Sequence, residues 1–266
     1  MNKTLLAGGC SFTFGNELSD DENGQRPSSK TWAALLANEA QANYFSVAYP
    51  GTGNAGIARR VFEYITNNNK NENIFVAVMW TFTSRYDWAM PRHAMLEKTR
   101  WATITPWDTS DNQAEVQKTL SSSEPQLEEW KSRRENMKET GVGPFADALY
   151  RYAANQYHET YLSWKNIVWL QNILEKKKIR YFFTLADNTL FWDELKQLNE
   201  LDSLLNGLYN EINFENWYVF GERHMGFNQW AWLNDYPRGT THPLDAAHQD
   251  AVKLMKDKFL ESYHKR

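Results

Sequence analysis

A short apolar segment near the start of the chain, residues 4–7, leads directly into the glycine-rich turn GGCSFTFG at residues 8–15. A brief apolar run bounded by glycine is typical of a buried strand. The turn that leaves such a strand lies at the carboxyl edge of a parallel sheet, where open α/β folds bind their ligands. Ser11 is therefore a candidate nucleophile beside backbone N–H groups that can stabilise negative charge. The alternative is an ordinary Gly/Ser turn.

The rest of the chain alternates between apolar strands and helical patterns. Strands are predicted at 44–48, 74–80, 179–185 and 217–220, and helices at 32–40, 54–65, 145–177, 190–208 and 245–263. Five strands with helical crossovers predict a three-layer α/β/α sandwich around a parallel, flavodoxin-like sheet. The polar segment 88–147 interrupts the alternation, so we interpret residues 1–266 as one domain with an insertion there. The insertion is a lid, a substrate wall, a homo-oligomer contact or a solvated excursion.

Composition narrows the class of protein. The chain has 266 residues and 42% hydrophobic content, enough for a sizeable core, and it has no run of about eighteen apolar residues that would span a membrane. A net charge of −4 without a basic run disfavours nucleic acid as a partner. The single cysteine, Cys10, excludes an internal disulfide and fits a reducing cytoplasm. Because a cleaved signal peptide would remove Ser11, we expect no such peptide and a cytoplasmic location.

A second motif, THPLDAAH at residues 241–248, introduces the last predicted helix. A serine needs a general base to act as a nucleophile, and this motif contains two candidates. His242 precedes the helix, whereas His248 lies one turn inside it. Cys10 is the rival nucleophile at the other end of the chain, and the adjacent Ser11 side chain points in a different direction from it.

Three segments in this order resemble the SGNH (GDSL-like) hydrolase family. GCSF at 9–12 stands where the family has Gly-Asp-Ser, PGTGN at 50–54 matches its glycine block, and HPLDAAH at 242–248 resembles its final His-Pro-Asn-Asp-Ala-Gly-His. The resemblance covers most of the chain outside 88–147. It implies that Ser11 is the nucleophile, that His242 is the base, and that the N–H groups of Ser11 and Gly51 bind the oxyanion.

The sequence departs from the family at the third member of the triad. The family has an aspartate three residues before its catalytic histidine, and Gly239 occupies that position here. Asp235 is the nearest acid upstream in the same loop, so it is our candidate for orienting the imidazole. A backbone carbonyl or a water molecule is the alternative, as is an ordinary Asn-Asp turn at Asp235.

A second departure concerns the oxyanion site. The family has Gly-x-Asn-Asp after its third strand, but this chain has TFTSR at residues 81–85. The hydroxyl of Thr81 or Thr83 is a candidate to replace the missing amide. Asn54 either binds substrate or caps the helix that follows it.

The function we expect from these residues is that of a serine esterase or acylhydrolase acting on a short acyl ester of a small molecule or carbohydrate. The tryptophans of the insertion favour a sugar O-acetyl group. No P-loop or G-x-G-x-x-G fingerprint occurs, which disfavours a nucleotide-binding protein, and the scattered histidines predict neither metal nor other cofactor. The alternative is a non-catalytic binding or assembly module that retains the fold.

Overall fold

The computed structural model describes residues 3–22, 24–67, 73–90, 101–110, 127–128, 130–132, 135, 141–191 and 202–265. Much of the predicted insertion lies outside these residues, as does a large part of the helix predicted at 190–208. None of the helices within the described ranges is long and apolar enough to cross a membrane.

Strands and helices are interspersed along the described chain. The strands are β1 Thr4–Gly8, β2 Asn43–Ser46, β3 Ile74–Trp80, β4 Tyr86–Ala89, β5 Trp101–Ile104 and β6 Arg180–Leu185. The helices are α1 Ser11–Phe14, α2 Trp32–Glu39, α3 Asn54–Asn67, α4 Val142–Tyr152, α5 Gln156–Lys176, α6 Ser203–Asn210, α7 Phe227–Leu233 and α8 Asp245–His264, with 3₁₀ turns at Pro106–Asp108, Asn188–Phe191 and Phe214–Asn216.

The single helix predicted over 145–177 is wrong, because the structure has two helices there. The first helix, α4, ends at Tyr152. Asn155 then caps α5 with its side-chain oxygen, which accepts a hydrogen bond of 2.9 Å from the His158 N–H. A side chain that satisfies a free N–H at a helix start competes with helix continuation, and this competition explains the break.

The main sheet is parallel, with the strand order β2-β1-β3-β6. The fifth strand predicted at 217–220 is reduced to an isolated bridge between Phe183 and Trp217, beside which the Tyr218 N–H donates to the Phe183 carbonyl at 2.9 Å. The ladder stops there because the next available donor turns away: the Phe220 N–H bonds to the Met225 carbonyl instead. The order β2-β1-β3 agrees with the flavodoxin-like arrangement.

Alternate side chains of the strands pack into two separate cores, as the period of two requires. Leu5 and Ala7 of β1 face one core, whereas Leu6 faces the other. Helices α2, α7 and α8 cover the first face, and α3 and α5 cover the second. The predicted three-layer α/β/α sandwich is therefore confirmed.

The strand order also defines where a ligand can bind. The chain runs from β1 to β2 on one side and then crosses to β3 on the other side of β1. The crevice beyond the carboxyl end of β1 is therefore a topological switch point, where open α/β sheets bind their ligands.

A separate antiparallel hairpin, β4–β5, follows β3 and lies against α3. Arg59 of α3 donates two hydrogen bonds to the buried carboxylate of Asp87, at 2.8 Å and 3.1 Å. The ring of Trp101 covers the same guanidinium, 4.5 Å from ring centroid to Cζ. The opposite face of the hairpin packs on α4 through Tyr86 and Ile104. This packing ties the visible part of the predicted insertion to the main sandwich.

We expect Gly53→Ala to lower the free energy of unfolding by about 1–3 kcal/mol, the usual cost of overpacking. An added Cβ at Gly53 would lie 2.3 Å from the carbonyl oxygen of Arg85, so backbone would have to move. Gly207→Ala in α6 is the matched control, because nothing lies within 4 Å of its added Cβ. Urea unfolding of both variants tests the prediction, and equal stabilities would contradict it.

Candidate active site

Ser11 is the first residue of α1, a single helical turn at the carboxyl end of β1. The Phe14 N–H closes the turn by donating to the Cys10 carbonyl at 2.9 Å. Gly15 then ends the helix with a φ of 92°, a left-handed conformation that favours glycine. Ser11 is thereby held at the switch point with 7% of its surface exposed.

The structure brings His242 to Ser11 from the far end of the chain. The imidazole Nε2 lies 2.7 Å from the Ser11 Oγ. The ring also packs edge-on against Phe12, with 4.9 Å between ring centroids. The loop around His242 is closed by a hydrogen bond of 2.9 Å from the Gly239 N–H to the His242 carbonyl. The loop between α7 and α8 thus holds the imidazole over the serine.

The other imidazole nitrogen faces the carboxylate of Glu17. Oε2 of Glu17 lies 2.8 Å from His242 Nδ1, and it also accepts the N–H groups of Thr241 at 3.0 Å and His242 at 2.8 Å. Oε1 accepts the Thr240 N–H at 2.8 Å. An ionised carboxylate can only accept, so Nδ1 carries the ring proton and Nε2 presents its lone pair to the Ser11 hydroxyl. The three groups have the arrangement of a catalytic triad.

Glu17 is held in place by the loop between α1 and α2. Its φ of 69° is left-handed, a conformation that costs a non-glycine residue about 1–2 kcal/mol. The Asp21 side chain accepts the Glu17 N–H at 2.8 Å, which stabilises this backbone. Asp245 accepts the Ser19 N–H at 3.0 Å and so fastens the loop to the start of α8. Asp245 is the first residue of α8, whose N-cap is Leu244.

Asp235 is not brought to the imidazole. It is an exposed residue in the turn after α7, where its N–H donates to the Trp232 carbonyl at 3.2 Å. A Cβ at Gly239 would lie 2.9 Å from the Glu17 carboxyl carbon, so the glycine leaves space for a carboxylate that comes from elsewhere in the chain. Sequence reasoning missed Glu17 because it searched only the loop that carries His242. The glycine at the position of the family's aspartate was the available signal that the acid comes from another part of the chain.

Two backbone N–H groups remain available for an oxyanion. Gly51 lies in the turn after β2 and has a left-handed backbone conformation, with a φ of 76°. Within the described ranges, neither the Ser11 N–H nor the Gly51 N–H makes a hydrogen bond. Both are therefore free to donate to a ligand at the end of β1.

The polar side chains of Asn54 and Thr81 are used within the fold. The Asn54 amide nitrogen donates to the Thr81 carbonyl at 3.1 Å and to Ser163 Oγ at 3.0 Å, and its oxygen accepts the Thr81 N–H at 2.8 Å. The Thr81 hydroxyl is fully buried and donates to Cys10 Sγ at 3.2 Å. Neither side chain has a proton left for a substrate. Their contacts instead hold the end of β3 against α3, α5 and the Cys10 turn.

His248 is a structural residue of the core. Its Nδ1 accepts the Trp32 N–H at 3.1 Å, and its ring lies 4.7 Å from that of Phe227. Burial lowers the pKa of His248 to about 3, so the imidazole is neutral near pH 7. Across the described parts of the chain, no group of three or more His, Cys, Asp and Glu side chains is arranged to hold a metal ion.

Comparison with protein-family models and with curated proteins gives no match. Among solved structures, the chain is similar to a member of the lipolytic protein G-D-S-L family from Veillonella parvula (12% identity, TM-score 0.44, 99% of each chain covered). It is also similar to the psychrotrophic esterase EstA from Pseudoalteromonas sp. (11%, 0.44, 99% of this chain and 98% of that one) and to the acetyl xylan esterase Est2A from Butyrivibrio proteoclasticus (12%, 0.42, 98% and 64%). These likenesses are distant, so the function is argued from the site itself.

We expect the burial of neutral His248 to make stability depend on pH. Because the pKa of His248 is lowered in the folded state, its contribution is fully present above the unfolded value of 6.5 and is lost as the pH falls toward about 3. The loss should be about 1.4 kcal/mol per pH unit, or about 2 kcal/mol between pH 6.5 and pH 5.

His248→Gln, which keeps an acceptor for the Trp32 N–H, should lose this part of the pH dependence. His264→Gln at the exposed end of α8 is the matched control and should retain it. Urea unfolding at pH 6.5 and pH 5 measures the difference. Equal losses in the wild type and His248→Gln would contradict the prediction.

Proposed function

We propose that the protein is a serine ester hydrolase of the SGNH type that cleaves a short acyl ester. The observation that carries the proposal is the continuous hydrogen-bonded series Ser11–His242–Glu17, with separations of 2.7 Å and 2.8 Å. A serine becomes nucleophilic when an adjacent base is oriented by a third group, and this series supplies all three roles.

In the proposed first half-reaction, Ser11 Oγ attacks the ester carbonyl carbon while His242 Nε2 takes the hydroxyl proton. The carbonyl π electrons move to the oxygen, which the N–H groups of Ser11 and Gly51 stabilise. Glu17 holds the imidazole in the required tautomer and stabilises its protonated form. His242 then gives the proton to the departing alcohol oxygen as the C–O bond breaks, which leaves an acyl group on Ser11.

In the second half-reaction, water attacks the acyl carbon and His242 takes a proton from it. The tetrahedral intermediate collapses, the bond to Ser11 Oγ breaks, and His242 returns the proton to Ser11. The products are the carboxylic acid and the free enzyme. Apart from the attacking water, no group outside the chain is needed for the proton balance.

The finer part of the proposal is a carbohydrate O-acetyl substrate. The described part of the insertion exposes Trp88, Trp101 and Trp107, by 46%, 42% and 52%. Trp88 and Trp101 lie on the β4–β5 hairpin. This hairpin begins six residues after the end of β3. Exposed indole rings offer flat apolar surface with a polar edge, which suits an amphipathic sugar ring. The small exposed area of Ser11 favours a short acyl group.

The competing hypothesis, a non-catalytic binding module, rests on the two departures from the family pattern. The first departure is the glycine at the family's aspartate position. The Glu17 carboxylate beside His242 can supply that acid instead, which weakens this argument for a binding module. Labelling of the serine decides between the two hypotheses, because a binding module has no need of an activated nucleophile.

We expect a fluorophosphonate probe to label Ser11 in the wild-type protein. Ser11→Ala should abolish labelling and lower kcat for p-nitrophenyl acetate by about 10⁶-fold, the effect of removing a triad serine. Cys10→Ala is the matched control and should retain labelling, because Cys10 is fully buried. Peptide mapping and thermal unfolding complete the test. A folded wild-type protein without label would favour the binding module, and label on Cys10 would reassign the nucleophile.

We expect Glu17→Gln to lower kcat by about 10³–10⁴-fold, because the amide no longer fixes the tautomer or stabilises the imidazolium. Asp235→Asn is the matched control, since this exposed carboxylate is not among the contacts of His242. Its kcat should stay within about threefold of wild type. Hydrolysis of p-nitrophenyl acetate measures both. A large loss in Asp235→Asn with none in Glu17→Gln would assign the third position to Asp235.

A further inference from the structure

The proposed reaction lacks one donor at its oxyanion. The resembled family has an asparagine after its third strand, whereas this chain has TFTSR at residues 81–85. The protons of Thr81 and Asn54 are committed to Cys10, Ser163 and the Thr81 carbonyl. A third donor would therefore come from another side chain near the end of β3.

The guanidinium of Arg85 lies beside the two residues that follow β3. Nη1 lies 3.5 Å from Thr81 Oγ1, and Cζ lies 4.5 Å from the centroid of the Phe82 ring. Thr81 in turn contacts Cys10, and Phe82 lies 6.4 Å from Phe12 between ring centroids. Arg85 thus contacts the two side chains that touch the residues on either side of the nucleophile.

The charge of Arg85 has a different environment from that of the neighbouring Arg59. In the part of the chain that the structure describes, no carboxylate lies within 4 Å of its guanidinium. The neighbouring Arg59, by contrast, is bound by Asp87 at 2.8 Å. A half-buried guanidinium without a carboxylate attracts an anionic oxygen and offers several N–H donors in one plane.

The position of Arg85 is fixed at the backbone and adjustable at the side chain. Its carbonyl oxygen packs against Gly53, where no Cβ fits. The contact with Thr81 Oγ1, at 3.5 Å, is at the outer limit of a hydrogen bond, so little is lost when the guanidinium turns toward a stronger acceptor.

We propose that Arg85 is the third oxyanion donor and takes the part that the resembled family gives to asparagine. This inference rests on the proposed function. As Ser11 Oγ bonds to the acyl carbon, the former carbonyl oxygen becomes negative, and an Arg85 N–H donates to it beside the N–H groups of Ser11 and Gly51. The guanidinium donates this hydrogen bond and transfers no proton.

The kinetic test compares Arg85→Gln, Arg85→Lys and Thr83→Val with wild type on a neutral ester, p-nitrophenyl acetate, and an anionic one, p-nitrophenyl hemisuccinate. Arg85→Gln should lower kcat by about 10²–10³-fold on both esters, the effect of removing one oxyanion donor. KM should stay within about threefold, and Arg85→Lys should retain part of kcat. Arg151→Gln, at an exposed position on α4, is the matched control and should behave like wild type.

Three results would overturn the proposal. Unchanged kcat in Arg85→Gln would exclude a transition-state role. A rise in KM for the anionic ester alone would assign Arg85 to recognition of a substrate carboxylate. A loss of kcat in Thr83→Val without one in Arg85→Gln would assign the donor to Thr83. Thermal unfolding of each variant verifies that it is folded.

A second measurement does not depend on activity. Acetate is titrated into the folded Ser11→Ala protein, and the backbone amide signals of residue 11 and Gly51 are followed by NMR. Saturable shifts support the proposal if the Kd for acetate rises about tenfold or more when Arg85→Gln is added to Ser11→Ala. Absent shifts, or shifts that Arg85→Gln leaves unchanged, overturn it. If the wild type carries no label on Ser11, the proposed function fails, while this titration still decides whether Arg85 holds an anionic oxygen there.

Discussion

The contact between the Glu17 carboxylate and the His242 imidazole is the interaction on which the site depends. It joins two loops from opposite ends of the chain, since the two residues are 225 positions apart in the sequence. The carboxylate accepts hydrogen bonds from three backbone N–H groups of the His242 loop and from the ring N–H at Nδ1. With the Thr241 hydroxyl, whose oxygen lies 3.2 Å from Oε2, five hydrogen bonds to one ionised group fix both the loop and the ring. The same contact therefore organises the backbone and selects the tautomer that can receive the Ser11 proton.

The glycine at residue 239 and the glutamate at residue 17 form a complementary pair. A Cβ at residue 239 would lie 2.9 Å from the Glu17 carboxyl carbon, so a side chain there would require the Glu17 carboxylate to move. The cost of delivering the acid from residue 17 is a left-handed backbone on a non-glycine residue. Asp21 and Asp245 offset this cost by anchoring the loop at the N–H groups of Glu17 and Ser19. Strain of this kind is common where a structure must place one functional group accurately.

Burial separates the polar groups that maintain the fold from those that remain available for chemistry. Asn54, Thr81 and His248 have almost no exposed surface, and each is bonded inside the protein. A buried polar group without a partner is costly, so these side chains are committed to one another. The N–H groups of Ser11 and Gly51 lie instead in turns at the sheet edge. Arg85 lies between these two sets, packed on an aromatic ring and still charged.

The sequence by itself determined the alternation of strands and helices, because apolar periodicity reports which faces are buried. It also placed Ser11 on a turn after β1 and His242 before the last helix, since glycine and proline mark such boundaries locally. Tertiary structure alone decided which acid meets the imidazole, because Glu17 and His242 are brought together only when β1 and α8 pack in one sandwich. It also decided that Asn54 and Thr81 serve the fold, since a hydrogen bond depends on distance in space. The fifth strand was shortened for the same reason: the ladder ends where the backbone near Phe220 finds a different partner.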